Sequence, residues 1–153
     1  MRVIGDGGHA AVVRELPGIE ADGWVVAVGS NADRRKESLR QTGSACRVLV
    51  HGAAIVSRSA TLGEGTVVMA GVVVQARARI GRHVILNTSC SVDHDCVIGD
   101  FAHIAPGVHL CGGVMVGEGA LVGVGTCAVP GAHVEPWAVI PAGSVLKTSK
   151  TQV

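Results

Sequence analysis

The sequence predicts a mainly β protein, a long array of stacked triangular coils behind a small α/β unit. Three observations carry that expectation. Aliphatic residues recur at every sixth position from Val56 to Leu146, and sixteen consecutive units hold the phase with only Ala128 departing from Leu, Ile or Val. Four residues after each of the first fifteen stands a small or β-branched residue, from Ala60 and Thr66 through Cys90 and Cys96 to Ala138 and Ser144. Glycine fills turns between them, as in Leu62-Gly63-Glu64-Gly65 and Val116-Gly117-Glu118-Gly119. A period of six matches neither a helix nor plain strand alternation, so the chain is a repeat architecture.

A six-residue unit is one short strand plus a corner, and three units close one triangular coil. The aliphatic residue points inward and the small residue fits where the corner narrows, while glycine eases the corner itself. Stacked coils then pair their backbones about 4.8 Å apart. Composition agrees: two tryptophans, one phenylalanine and no tyrosine are too few for an ordinary globular core but suit a narrow aliphatic prism. A net charge of +1 without a basic run argues against nucleic acid. No signal peptide and no uninterrupted apolar span of membrane length are evident, so a cytoplasmic protein is expected. Five cysteines without a CxxC spacing read as free thiols, with Cys90 and Cys96 on inward positions.

Residues 1–50 are expected to form the α/β unit and residues 51–153 the coils. Met1 to Gly5 reads as a strand that stops at Gly5-Asp6-Gly7-Gly8-His9, and Ala10 to Leu16 as a helix closed by Pro17-Gly18. Strand, glycine turn and helix can begin a nucleotide-binding unit, although a tight turn without a ligand fits equally well. Trp24 to Gly29 reads as a second strand. Ser30 or Asn31 caps a helix through Arg34, Arg35 and Lys36 to about Gln41, stopped by Gly43. Its basic cluster reads as a solvated face. Cys46 to Val50 is expected as a third strand leading through His51 into the first coil. Such a unit is too short for a full dinucleotide fold, which argues against NAD. Leu146 to Val153 reads as a polar, frayed end.

One segment of the array departs from bland small residues: Asn87-Thr88-Ser89-Cys90-Ser91-Val92-Asp93-His94-Asp95-Cys96, followed by Phe101-Ala102-His103. His94 falls at a corner, where its ring cannot point into the prism without cost. A carboxylate beside an imidazole raises its basicity and fixes its tautomer, as a general base requires. A solvated surface histidine has the same spacing. His103 follows nine residues later, half of an eighteen-residue coil, which puts the two imidazoles on different sides of one prism. They can cooperate only across a subunit interface, and a triangular prism points to three-fold symmetry.

The hexapeptide pattern, covering about sixty per cent of the chain, resembles that of the hexapeptide-repeat acyltransferases, which coil as left-handed parallel β-helices. The resemblance narrows through Gly7-Gly8-His9, Ala27-Val28-Gly29-Ser30-Asn31 before an Arg-Arg-Lys helix, Val50-His51, and Asn87-Thr88 ahead of Val92-Asp93-His94-Asp95. These are similar to the sialic-acid O-acetyltransferase and bacillosamine/perosamine N-acetyltransferase family. The resemblance implies a sugar-binding α/β domain, a homotrimer, and acetyl-CoA lying between neighbouring prisms. It implies His94 as catalytic base with Asp95 sharpening its basicity, and His103, Val124 and Ala142 on the acetyl-CoA side. Gly7, Gly8 and His9 match its sugar-nucleotide loop, and Asn87 lies near the acceptor. The acceptor is a small-molecule sugar, and no metal is implied.

Two departures stand out. Only Pro17 to Gly23 fills the place of the family's second strand and its Asp-Asp pair, so this α/β unit is expected to be truncated. The C-terminal Gly-x-Pro-Ala-Lys/Arg segment that closes over the CoA tail has no counterpart. The sequence does not separate N- from O-acetylation. A γ-type carbonic anhydrase with zinc on His83, His103 and His109, and a non-catalytic β-helix scaffold, are the readings from other classes.

Overall fold

A computed structural model describes residues 1–16, 23–41 and 46–148. The expected helix stops at Pro17-Gly18 and Gly43, the Pro17–Gly23 gap apart from Gly23, and the end after Thr148 lie outside the described residues. From Leu49 to Leu146 the chain is a parallel β-helix of triangular section, wound left-handed. Its two-residue strands run from β3 (Leu49–Val50) to β19 (Val145–Leu146) and form three parallel sheets of six, five and six strands. Each strand pairs with the one eighteen residues away, as Ser91 does with His109 and His103 with Leu121.

The six-residue phase explains the core. Val68, Val74, Leu86, Val92, Ile98, Ile104, Leu110 and Val122 point inward and are buried, and so are Cys90 and Cys96 at the narrowing corners. Each buried aliphatic contributes ~1.5–3 kcal/mol, most of it offset by chain entropy. All five cysteines are free, and burial pushes the Cys90 thiol up to about 12, leaving it an inert apolar filler.

Outward strand residues distinguish the three faces. The first carries Leu49, Val67, Ile85, His103, Leu121 and Val139, of which Leu49, Val67 and Ile85 are buried although they point away from the prism. The α/β unit covers them. It comprises β1 (Arg2–Ile4), α1 (Gly8–Arg14), β2 (Trp24–Val26) and α2 (Asn31–Ser38), with β1 and β2 pairing in parallel. Gly5 follows β1 with φ +130, where a Cβ would stand 2.6 Å from the Ala27 carbonyl oxygen, so this position admits no side chain.

The third strand expected at Cys46–Val50 divides in two. Cys46 makes a single bridge to Trp24, whereas Leu49–Val50 pairs with Val67–Val68 and is already a coil strand. The reason is visible in the repeat, since Val50 continues the six-residue phase one step before Val56. No helix among the described residues is long and apolar enough to cross a membrane.

Candidate active site

The chemistry-bearing residues fall into two clusters on different parts of the prism. The first sits on the corner between the second face, which carries Ile55, Val73, Ser91, His109, Cys127 and Val145, and the third, which carries Thr61, Arg79, Val97, Met115 and His133. There Asp93 Oδ1 accepts from the His94 backbone N–H at 2.7 Å, closing the turn. His94 Nδ1 lies 2.8 Å from Asp95 Oδ2, so its proton is held on Nδ1 and Nε2 keeps a free lone pair. Asp95 adopts the left-handed conformation, φ 60, that the corner demands. One coil earlier Arg77 donates to the same carboxylate through Nε at 2.7 Å and Nη2 at 2.9 Å. This fork, with the bond from His94 second, holds the Asp95 carboxyl well below the usual carboxylate range.

The imidazole occupies space that the next coil leaves open. A Cβ at Gly112 would fall 2.6 Å from His94 Cε1, which makes Gly112 the floor of the site. Both Arg77 and Gly112 lie one coil, eighteen residues, from the Asp95 and His94 they serve. Sequence reasoning missed them, although counting eighteen in each direction from the His-Asp pair finds both.

The second cluster gathers on the first face beneath the α/β unit. Asn87 Oδ1 accepts from the Thr88 backbone N–H at 2.8 Å, which fixes the orientation of the amide. Its nitrogen lies 3.1 Å from His103 Nε2, and an amide nitrogen can only donate. His103 Nε2 is therefore unprotonated and the ring carries its proton on Nδ1. Burial, then the nearby Arg34 and His9, lower His103 to about 4, opposed by a bond to the Gly29 backbone. His9 is likewise brought down to about 4 by burial and Arg34, and its Nε2 is buried without a partner. Gly7 is the N-cap of α1, and Gly8 and His9 form its first turn. Beside them, at the ends of β1 and β2, a hollow of about 440 Å³ is lined by Ile4, Gly5, Asp6, Val28 and Glu37.

Arg34 corrects the reading of its helix face as solvated. It is 1% exposed, and its guanidinium reaches the prism and the α/β unit together. The neighbouring Arg35 does face solvent, paired with Glu118 at 3.5 Å.

Within one chain His94 and His103 are not brought together. Val124 and Ala142 stack on the corner between the first and second faces, where the Gly143 N–H donates to the Val124 carbonyl at 2.8 Å. The three histidines of the zinc reading are also dispersed. His83 is buried in a ring stack with Trp24 and Phe101, His103 lies on the first face, and His109 bonds Ser91 Oγ on the second at 2.8 Å. Among the described residues no three His, Cys, Asp or Glu side chains are grouped to hold a metal ion.

No protein-family model matches the chain. Solved structures do. The acetyltransferase domain of PglB from Neisseria gonorrhoeae superposes with a TM-score of 0.86 at 36% identity, over 94% of this chain and 89% of that one. The same domain in complex with acetyl coenzyme A gives 0.81 at 33%, over 99% and 97%. PerB from Caulobacter crescentus, in complex with CoA and GDP-perosamine, gives 0.85 at 34%, over 96% and 90%. Fold and match define an acyltransferase of the left-handed β-helix class. The chain belongs to the hexapeptide-repeat sugar acetyltransferase family that includes PglB and perosamine N-acetyltransferase.

Proposed function

We propose that the protein transfers the acetyl group of acetyl-CoA to the amino group of a sugar, free or nucleotide-linked, with His94 as general base. The observation that carries this reading is the His94–Asp95 pair, its Nδ1 bonded to the carboxylate and its Nε2 open on a corner. Relatives that bind CoA and GDP-perosamine support the choice of substrates. His94 Nε2 takes a proton from the acceptor nitrogen as that nitrogen attacks the thioester carbonyl carbon. The tetrahedral oxyanion then collapses, the C–S bond breaks, and the departing sulfur takes the proton back from the imidazolium. Asp95 orients the ring and Arg77 orients Asp95.

The functional unit in this reading is a trimer with its second faces turned toward a three-fold axis. In that arrangement the His94 corner of one copy meets the Val124–Ala142 corner of the next, since each inner face touches its neighbours at its two ends. Acetyl-CoA lies in the groove so formed, along Val124 and Ala142. Asn87, His103 and the Gly7-Gly8-His9 turn of the neighbouring copy reach the site from their side. One property of the second face supports it: its outward residues Val73, Ser91, His109 and Cys127 are not buried under the α/β unit, which covers the first face instead.

The test is a panel of amino sugars, free and nucleotide-linked, incubated with acetyl-CoA while CoA thiol release is followed. Release that depends on an amino sugar, gives the N-acetyl product and disappears in His94→Ala is the expected result. Product acetylated only on hydroxyl oxygen would move the reading to O-acetylation, and no release with any sugar would sink it.

A further inference from the structure

Arg34 is the one cation buried to this extent among the described residues, and no carboxylate accompanies it. Nε donates to the His83 carbonyl at 2.8 Å, Nη1 to Val28 at 2.9 Å and Gly29 at 3.2 Å. Nη2 donates to Asn31 Oδ1 at 2.9 Å, Phe101 at 2.6 Å and Ala102 at 3.3 Å. The acceptors come from the end of β2, from α2 itself and from two successive coils, so one side chain rivets the α/β unit to the first face. Carbonyl dipoles stabilise a guanidinium without neutralising it. Burial takes Arg34 down to about 9, so it stays charged at neutral pH.

Three imidazoles feel that charge: His9 from α1, His103 from the first face, and His83 from the corner beside it. His103 is faced only by Arg34 and His9 among charged or titratable groups, whereas His83 is also faced by Arg82, Asp100 and Glu64. The Asn87 amide needs a proton-free Nε2 on His103, as its own orientation dictates. A protonated His103 would point an N–H at the amide N–H and break the chain of bonds from Gly29 through His103 and Asn87 to Thr88.

We propose that Arg34 is a positioning residue for the transfer reaction: it holds the Gly29 carbonyl that takes the Nδ1 proton of His103, and its charge adds to burial in keeping that ring neutral, so that His103 aims the Asn87 amide. His103 then acts as neither acid nor base, and the amide is the group presented to the reacting atoms. The two imidazoles of the composite site thus have opposite surroundings. His94 has a carboxylate against its ring and His103 a guanidinium near it, an arrangement that separates base from hydrogen-bonding partner. This inference rests on the acetyl-transfer reading above.

The experiment follows His103 by NMR in the wild-type protein and in Arg34→Gln and Arg34→Lys, alongside acetyl-transfer kinetics. In the wild type, the nitrogen shifts should place the proton on Nδ1 and the ring should titrate far below an ordinary imidazole. Arg34→Gln should raise that midpoint and, by releasing the Gly29 carbonyl that Arg34 holds, lower kcat by roughly ten- to a hundredfold, with a smaller change in KM. Arg34→Lys restores the cation, so the titration should return toward wild type even where lost carbonyl contacts keep kcat low. A wild-type His103 protonated on Nε2, or titrating as an ordinary histidine, overturns the proposal whether or not the variants fold. So does an Arg34→Gln enzyme with unchanged titration and kcat. Wild-type protein inactive on every amino sugar would defeat the functional reading instead, and the tautomer and titration need no substrate.

Discussion

The imidazole of His94 rests on Gly112, with the Cβ that any other residue would add placed 2.6 Å from Cε1 and 2.7 Å from Nε2. The glycine is needed for this approach, because the Gly112 backbone itself is not in the left-handed region. Gly112→Ala should therefore displace the ring and cost about 10²-fold in kcat, while the melting temperature moves little. Kinetics paired with a thermal melt check this. Normal turnover in Gly112→Ala would show that the position of the ring does not matter.

Replacing His94 by alanine should cost about 10²–10⁴-fold in rate and leave assembly intact, since a half-exposed corner ring adds little to the prism. Its two supports should act in opposite directions. Asp95→Asn removes a carboxylate that favours the imidazolium, so the acidic limb of the pH–rate profile moves to lower pH. Arg77→Met removes the competing cation and leaves the Asp95 charge to His94, so the limb moves to higher pH. Shifts in the same direction in both variants would separate Arg77 from the base.

The composite site predicts complementation between inactive chains. In mixed trimers of His94→Ala and Asn87→Ala chains, one site in three joins an intact His94 to an intact Asn87, so about a third of wild-type activity should return. Co-expression with two affinity tags isolates such mixtures. Failure to recover activity would place both residues in one chain's site, and a monomer by light scattering would remove the interface altogether.

Stability should fall in mild acid. His9 and His103 titrate near 4 when folded against 6.5 when unfolded, so between these values the unfolded chain binds more protons. Their contribution is complete above about pH 6.5, declines as the pH drops, and is lost below about pH 4. A melting temperature that stays flat from pH 7 to 4, with Arg34 intact, would contradict the burial of both rings.

The coils were legible because their core is a one-dimensional pattern: phase alone dictates which side chain enters the prism. The contact between His94 and Asp95 was legible because the two are adjacent at a corner, outside the inward positions that Val92 and Cys96 fill. Arg34 was not. Within Arg34-Arg35-Lys36 nothing local separates a buried cation from two solvated ones, and only docking against the His83, Phe101 and Ala102 carbonyls makes the difference. The third strand failed similarly, because Leu49–Val50 had two compatible partners in sequence and the coil took it.

The pairing of each strand with the one eighteen residues away has a consequence for how such a chain can change over time. The array has a reading frame in space. Removing one residue from a strand or corner would turn every later aliphatic outward and carry Gly112 out from under His94. Insertions are tolerable only as whole turns or as loops thrown out from a corner. Substitution remains free within a column, so the Ala76–His94–Gly112 corner can be retuned residue by residue while the coils around it stay as they are.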